Sequence, residues 1–444
     1  MKFLLKKAWN YRLVILIVLW LLYIINYFDR MAVITLMPFI QEDLNLTPIQ
    51  VGQLTSAFFF AYSIALLVSG ILADKIGSKK VMGIAIIIFT AFTAVTGTIK
   101  SFWQFFIFRI GLGLGEGQHY APASRTIQNW FPRTERGRAS AFFGTSWTLS
   151  GAIVPLLITT ISIYFFNGEW RPVFYVLAVP GIIGILLLWF LIYDSPKEML
   201  RKNKLTAPEY NQIAEKLDNN QEQGSNKKGN GTITDFLKDR NFYFMSILLF
   251  CHQSIYWGTN TWLTTFLVKQ HGLNIKEMGF FASAPYIIAV FATLIGGLLM
   301  DKVFYRMKPI ALIGYFGCIP VLWLLGSLES NNKFILLTLL LCMGFFVNIN
   351  WGTNLAYLQN RYASSVIGKA IGIASAVGHM GAFASPLISG YLVKVNTDGT
   401  QDFKTVFIFL ACIATVAALL AVLLKEKKVG NIFKSSSVKQ EHIG

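Results

Sequence analysis

The 444-residue chain carries little charge: 14% of its residues are charged, whereas 54% are hydrophobic. Soluble domains carry about 25% charged residues, so this chain has too few to cover a water-facing surface. Acidic residues are the scarcest, with 22 Asp and Glu against 39 Lys and Arg. The composition excludes a soluble enzyme, and in a membrane protein the net charge of +17 needs no nucleic-acid partner.

Cysteine and nucleotide-binding signatures are scarce as well. The four cysteines stand singly in apolar stretches, without metal-ligand spacing or a disulfide framework, at Cys251, Cys318, Cys342 and Cys412. The chain has no Walker-type lysine loop and no dinucleotide fingerprint. We therefore expect no metal, no cofactor and no ATP-driven pump, and any transport would depend on an ion gradient.

Long apolar stretches are what the sequence has in abundance. About 20 apolar residues span a bilayer, and twelve stretches approach or exceed that length. They lie near 13–39, 50–73, 81–99, 102–123, 139–164, 172–193, 242–268, 277–300, 309–327, 334–358, 366–393 and 404–424. The sequence thus predicts an all-α integral membrane protein with twelve transmembrane helices and the lipid bilayer as its main partner.

The polar segments predict the topology and the domain organisation. The longest one divides the chain into an N-terminal six-helix bundle (1–193), a cytoplasmic central loop (194–241), a C-terminal six-helix bundle (242–428) and a cytoplasmic tail (429–444). Thirty Lys and Arg residues fall on the side that holds both termini, and seven fall on the other side. Basic residues favour the cytoplasm, so we expect both termini there, in a multi-pass protein of the bacterial inner membrane.

Four ionisable residues remain inside apolar stretches: Asp29, Arg30, Arg109 and Glu116. A charge within the bilayer is costly, so such residues face a cavity or pair with one another, and they mark substrate or proton paths. All four lie in the first half of the chain. They are therefore the leading candidates for a functional site.

Two corresponding loops carry a repeated motif. GILADKIGSKK follows the second apolar stretch and GGLLMDKVFYR follows the eighth, where the later glycine is lost. The first resembles the loop signature of the major facilitator superfamily, and its matching residues are Gly70, Asp74, Lys75, Gly77, Lys79 and Lys80. The resemblance implies two pseudo-symmetric six-helix bundles. The glycines would permit a tight turn between helices, and Asp74 could pair with a helix end as a conformational latch.

Four further motifs resemble the anion:cation symporter family, which includes bacterial hexuronate, galactonate and glucarate permeases and animal sialic acid and vesicular glutamate carriers. They are NYFDR (26–30), FFFAYS (58–63), FRIGLGLGEG (108–117) and TWLTTFL (261–267). Thr264 departs from the family pattern by replacing a proline. The resemblance implies substrate binding at Arg30 and at Tyr62, and proton coupling at the two buried acids.

Helix geometry adds an expectation for the four buried ions. At about 1.5 Å per residue, Asp29, Arg30 and Arg109 fall at one level, and Glu116 lies two turns closer to the cytoplasm. A guanidinium stays protonated and can grip a carboxylate with two hydrogen bonds, which favours Arg30 as the anion-binding residue. Arg109 is expected to pair with Glu116 or with substrate. The alternative is that all four ions form static pairs that only hold helices together.

Neutral residues extend the predicted substrate site, although each alone is more often a helix-packing residue. They are Tyr62, Tyr256, Asn260, Asn350, Trp351 and Ser375.

His119 follows Glu116 by one turn, so it is either a proton relay or a helix-contact residue. Gly111, Gly113 and Gly115 alternate along the fourth stretch and predict close helix approach.

Together these features predict a secondary active transporter. We expect a monomer that takes up a small organic carboxylate such as a sugar acid together with protons, by alternating access around a central site. A sodium-coupled version stays open. The nearest alternative is a proton-driven exporter of drugs or siderophores, although two buried arginines favour an anion. A membrane enzyme or a receptor lacks support, because the chain shows no nucleophile–base pair, no metal cluster and no receptor-like loop.

Overall fold

The computed structural model describes residues 2–222, 236–328, 332–362, 366–397 and 399–426. It forms two compact units, Met1–Lys227 and Lys228–Gly444, which are described separately below. The boundary between them falls within the predicted central segment 194–241. The predicted tail, 429–444, lies outside the described residues.

Unit 1 is built from helices. They are α1 (Lys2–Asp43), α2 (Pro48–Ile76), α3 (Ser78–Thr96), α4 (Phe102–Glu116), α5 (Tyr120–Trp130), α6 (Arg133–Phe166), α7 (Arg171–Leu191), α8 (Pro196–Arg201) and α9 (Ala207–Glu222). The main packing pairs are α1 with α6, α2 with α4 and α3 with α7.

Unit 2 repeats this arrangement. Its helices are α10 (Arg240–Lys269), α11 (Ile275–Leu298), α12 (Lys308–Ser327), α13 (Lys333–Asn348), α14 (Trp351–Arg361), α15 (Ile367–Leu392) and α16 (Lys404–Leu423), and a π-helical segment, Leu299–Phe304, extends α11. A short antiparallel hairpin pairs β1 (Lys394–Val395) with β2 (Gln401–Asp402). The helices pair as α10 with α15, α11 with α13 and α12 with α16. These pairs join the same ordinal spans as in unit 1, as a pseudo-symmetric repeat requires.

Ten helices of the described chain are long and apolar enough to cross a membrane. The other two predicted spans correspond to α4 with α5 and to α10. Helix α4 has only 15 residues, and α10 is long enough but rich in polar side chains. Those two crossings stay predictions of the hydropathy pattern.

The fourth span of each unit is interrupted, which the sequence analysis did not anticipate. Helix α4 ends at Glu116 and α5 begins at Tyr120; in unit 2, α13 ends at Asn348 and α14 begins at Trp351. Glycine and asparagine are poor helix formers; Gly117 stands at the first break, and Asn348 and Asn350 stand at the second. Because a membrane supplies no hydrogen bonds to free backbone groups, such breaks persist only inside protein or beside a cavity.

The second span of each unit starts in the same way. Thr47 accepts a hydrogen bond from the backbone N–H of Gln50, whose side chain accepts one from the N–H of Thr47. Asn274 and Glu277 form the same reciprocal pair at the start of α11. Each pair satisfies two backbone donors that the first helical turn leaves open.

Part of the predicted central loop is helical. Helices α8 and α9 occupy part of it, and α9 packs against α1 and α6 of unit 1. The linker-like sequence QEQGSNKKGNG begins at the end of α9, and beyond residue 222 it lies outside the described residues.

Candidate functional site

The centre of unit 1 is an ion pair between Arg30 of α1 and Glu116 of α4. Arg30 donates from Nε at 3.0 Å and from Nη2 at 2.7 Å, both to Oε2 of Glu116. The arginine side chain is 4% exposed and the glutamate side chain is fully buried. From helix geometry we expected Arg30 and Glu116 at different depths in the membrane. The arginine side chain is long enough to reach the glutamate. Glu116 is also the last residue of α4, where a positive partner offsets the negative end of the helix.

Aromatic rings surround the Arg30 guanidinium. Its central carbon lies 5.0 Å from the ring centres of Tyr27 and Phe58, 6.0 Å from Phe59 and 4.7 Å from Tyr62. Aromatic faces attract a desolvated cation, so they hold the guanidinium in place without neutralising it. The structure thus places Tyr62, a predicted substrate contact, directly beside Arg30.

Arg109 does not form an ion pair with Glu116 in the described chain. Its guanidinium lies 4.5 Å from the Phe58 ring centre, and its Nε donates to the Leu54 carbonyl at 3.3 Å. Its Nη1 is buried and has no hydrogen-bond partner among the described residues. Of the two predicted partners for Arg109, Glu116 is therefore taken by Arg30, and Arg109 retains an unsatisfied donor.

Unsatisfied acceptors and donors cluster around the same pair. Asp29 Oδ1, Glu116 Oε1 and both ring nitrogens of His119 are buried without a partner among the described residues, as are both side-chain polar atoms of Asn26. Each such group costs about 1–3 kcal/mol when nothing binds it. Several at one place mark a site that is built for something other than stability.

His119 does not continue the helix of Glu116. Residues 117–119 form the turn between α4 and α5, and the His119 ring packs edge-on against Tyr23 at 5.7 Å between centres. The histidine therefore shares the break with Glu116 but not its helical face. Its predicted role as a relay is not tested by this contact.

Close approach of α4 to its neighbours brings these groups together. A Cβ on Gly113 would lie 2.4 Å from the Phe58 carbonyl oxygen, and one on Gly115 would lie 2.8 Å from the Phe89 nitrogen. A Cβ on Gly111 would lie 2.3 Å from the Phe92 ring. This confirms the close packing that the alternating glycines predict.

The predicted latch motif divides into two structural parts. Asp74 accepts a hydrogen bond from Arg125 at the exposed end of α2. Gly77 forms the turn into α3 with φ +93°, and a Cβ there would lie 2.6 Å from Asp194 Oδ2. Gly70 makes no turn: it lies inside α2, where a Cβ would meet nothing within 4 Å. The prediction of a turn-forming role was wrong for Gly70, since the helix continues for six more residues.

Lys79 is buried, whereas Lys75 and Lys80 of the same motif are exposed. Lys79 Nζ donates to the carbonyls of Trp189 and Ile192 at 2.6 and 2.7 Å, which caps the end of α7. Its backbone N–H donates to Asp194 Oδ1 at 2.6 Å, so that carboxylate caps the start of α3. Burial is the largest influence on Asp194 and raises its pKa.

Sequence reasoning missed Asp194 and its counterpart in unit 2. There, Glu426 accepts from the N–H groups of Met307 and Lys308, both at 2.8 Å, and Lys308 Nζ donates to the carbonyls of Val422 and Leu424. The available signal was the repeat itself: an acid follows the sixth span of each half.

Unit 2 holds a neutral polar cluster at its own helix break. His252 of α10 lies 5.4 Å from the Trp351 ring centre, and its Nδ1 is 3.4 Å from the Tyr315 hydroxyl. Trp351 also contacts the Tyr256 ring at 5.0 Å. Tyr315 is not among the residues that the sequence singles out. The aromatic pair Trp351 and Tyr256, both predicted substrate contacts, is brought together.

Asparagines line the same region of unit 2. Asn350 is completely buried, and neither polar atom of its side chain has a partner among the described residues. A Cβ on Gly314 would lie 2.1 Å from Asn350 Nδ2, so the missing side chain at Gly314 makes room for this amide. Asn260 lines a small cavity with Tyr256, and its Nδ2 also lacks a partner in the described chain. Ser375 is half-buried on α15, where its carbonyl contacts His379 Nδ1 at 2.8 Å.

Known proteins with similar sequences are membrane transporters. A sequence model of the Major Facilitator Superfamily matches residues 19–370 and 321–441. The probable sulfoacetate transporter of Cupriavidus necator is 27% identical over 424 residues, covering 94% of this chain and 95% of that protein. The hexuronate transporter of Bacillus subtilis is 24% identical, covering 93% and 94%. The probable galactarate/D-glucarate transporter of Escherichia coli is 26% identical, also covering 93% and 94%.

Solved structures agree on the fold. The crystal structure of a D-xylose-proton symporter gives a TM-score of 0.76 at 16% identity, covering 95% of this chain and 99% of that one. A bacterial homologue of the human lysosomal transporter Spinster gives 0.74 at 17% identity, covering 93% and 97%. The resemblance drawn from the sequence motifs is confirmed at the level of the family and of its anion-transporting relatives.

Proposed function

Because this chain belongs to the Major Facilitator Superfamily and is a membrane transporter, we propose that it carries a small organic anion, with a sugar acid as the leading class. In this proposal the anion enters together with protons, through a bacterial inner membrane in which both termini face the cytoplasm. The similarity to transporters of hexuronate and of galactarate/D-glucarate supports the substrate class. The similarity to a probable sulfoacetate transporter extends it to other small anions with a strongly acidic group.

The buried pair of Arg30 and Glu116 carries the proposal. A substrate carboxylate can replace Glu116 as the acceptor of the two guanidinium hydrogen bonds. Glu116 then loses its cationic partner in a desolvated place, where the neutral acid is the favoured form. Anion binding therefore drives proton uptake by Glu116, and release of the anion restores the ion pair and expels the proton.

Asp29 offers a second protonation site beside the pair. It is 2% exposed, and its Oδ1 has no partner among the described residues. Since no described cation pairs with it, burial favours its neutral form, and it gains or loses a proton as the cavity opens and closes. Arg109, with an unsatisfied Nη1, is the second donor for the anion.

The polar cluster of unit 2 supports a hydroxylated substrate. Both polar atoms of the Asn350 amide and Nδ2 of Asn260 are buried without a partner among the described residues, and Trp351 and Tyr256 supply aromatic surfaces. Amides bind hydroxyl groups in either direction, and sugars stack on aromatic rings through their C–H faces. This assignment of the unit 2 residues rests on their chemistry alone.

The test is uptake by purified protein in liposomes. Labelled galacturonate, glucarate, galactonate and sulfoacetate are offered with and without an imposed inward proton gradient, and then with a sodium gradient. We expect accumulation of at least one anion above equilibrium, only with the proton gradient. Accumulation that follows sodium alone would replace protons as the coupling ion, and gradient-independent equilibration of every anion would reject coupled uptake. Proton-driven loss of a preloaded anion or cation would favour the exporter.

A further inference from the structure

A charged pocket opens at one end of unit 1, away from the buried ion pair. Its volume is about 570 Å³, and it lies between the turn at Gly77, the end of α7 and the short helix α8. Five basic residues line it: Lys79, Lys80, Lys197, Arg201 and Lys202. Two acids, Asp194 and Glu198, stand among them.

Internal contacts account for only part of this charge. Glu198 pairs with Lys202 at 2.7 Å and accepts from the Asp194 backbone N–H at 2.6 Å. Asp194 accepts a hydrogen bond from the Lys79 backbone N–H, and the Lys79 ammonium donates to the backbone carbonyls of Trp189 and Ile192. Lys80, Lys197 and Arg201 are exposed, and the described part of the chain gives them no ion-pair partner. The pocket therefore keeps an excess of positive charge.

One wall of the pocket is apolar and belongs to the lipid-facing surface. Ile76, at the end of α2, is 42% exposed, and Trp189, near the end of α7, is 63% exposed. Phe190, next to Trp189, is 68% exposed. Tryptophan is enriched where a membrane meets water, so the pocket lies at the level of the lipid headgroups. A free phosphate ion would use the basic residues but not this wall.

We propose that this pocket binds the phosphate group of an anionic glycerophospholipid. Lys80, Lys197 and Arg201 bind the headgroup, Arg201 with its planar fork, and the acyl chains lie along Ile76 and Trp189. The positive-inside pattern predicts this face to be cytoplasmic, where basic pockets between helices favour anionic lipids. The site is independent of the transported anion, so it stands or falls separately from the proposed function.

Native mass spectrometry of the full chain provides the test. Purified protein in detergent is mixed with equal amounts of dioleoyl phosphatidylglycerol and dioleoyl phosphatidylethanolamine, and the retained lipids are counted. The double variant K197Q/R201Q removes two pocket charges. The control R138Q/K204Q removes the same two residue types at exposed positions outside the pocket. Arg201→Lys keeps the charge at the pocket.

We expect the wild-type protein and the control to prefer phosphatidylglycerol, and Arg201→Lys to keep most of that preference. In K197Q/R201Q, the preference for phosphatidylglycerol should fall roughly fivefold for each basic residue removed. Since all four substituted side chains are exposed, the variants should stay monodisperse in gel filtration. If the control R138Q/K204Q lost the same preference, net charge alone would explain the effect, and the proposed site would be wrong. A second arm offers inorganic phosphate: if it stabilises the wild-type protein against heat as well as phosphatidylglycerol does, the site takes free phosphate and the lipid assignment is wrong.

Discussion

Arg30 donates two hydrogen bonds to one carboxylate oxygen of Glu116, across two helices and 86 residues of sequence. The second oxygen of Glu116 has no partner among the described residues. These two hydrogen bonds therefore converge on one oxygen atom, which an incoming carboxylate can replace. In the proposed mechanism, this exchange links anion binding to the charge state of Glu116, and it makes separate predictions for the two residues.

Glu116→Gln removes the proton site but keeps a side chain of similar size. The amide oxygen can still accept from Arg30, so the fold should persist, but no proton can be bound or released. We expect gradient-driven accumulation in liposomes to be abolished, while exchange of labelled for unlabelled substrate continues. Glu169→Gln, the same change at an exposed position, serves as the control and should behave like wild type. Accumulation that survives in Glu116→Gln would remove Glu116 from the coupling mechanism.

Arg30→Lys keeps the positive charge but removes the planar fork. An ammonium cannot present two parallel donors, and it is shorter, so both the contact with Glu116 and the binding of substrate weaken. We expect roughly a tenfold or greater increase in the substrate concentration that gives half-maximal exchange. Arg138→Lys, at an exposed position, is the matched control. If Arg30→Lys binds substrate as wild type does, the anion is held elsewhere, with Arg109 as the first alternative.

Gly77→Ala and Gly70→Ala form a pair that tests the turn after α2. Gly77 has φ +93°, and a Cβ there would meet Asp194 Oδ2 at 2.6 Å, so alanine should destabilise the protein by about 1–3 kcal/mol. Gly70 lies inside the helix in open space, so alanine there should be neutral or stabilising by up to about 1 kcal/mol. Thermal unfolding in detergent gives both values. Equal effects at the two positions would contradict the assignment of the turn to Gly77 alone.

The sequence was sufficient for the features that repeat along the chain. Apolar stretches predicted the ten helices that are long and apolar enough to cross a membrane, and rarity alone identified Arg30 and Glu116 inside apolar sequence. Cα depths along straight helices placed Glu116 two turns from Arg30 and so did not predict the ion pair between them. The helix ends at Glu116, and the length of an arginine side chain is not visible in the spacing of Cα atoms.

Partners that are distant in sequence could not be predicted. Asp194 caps α3 from 115 residues away, and only packing of α3 against α7 brings the two together. The same holds for Arg109, whose interaction with Phe58 depends on the close approach of α4 to α2. In both cases the residue type can be read from the sequence, but its role depends on which helices pack together. A single sequence does not determine that packing.

Asp239 predicts how the stability of unit 2 depends on pH. It lies just before α10 and binds Arg361 and Tyr362 at the end of α14, with Arg361 Nη2 at 3.0 Å from Oδ1. Burial acts to raise the pKa of Asp239, but hydrogen bonds from Arg361, Asn241 and Tyr362 outweigh it, and the pKa is lowered from 3.8 to about 2.

A lowered pKa means that the folded state favours the carboxylate. The stabilisation is therefore fully present above pH 3.8 and is lost as the pH falls toward 2. Asp239→Asn should lower the unfolding temperature by a few degrees at neutral pH, and the difference from wild type should shrink as the pH falls through this window. Glu169→Gln, at an exposed acid, should show no such convergence. A difference between Asp239→Asn and wild type that stays constant down to the lowest pH would assign the effect to packing, because loss of a charged contact must disappear once the carboxylate is protonated.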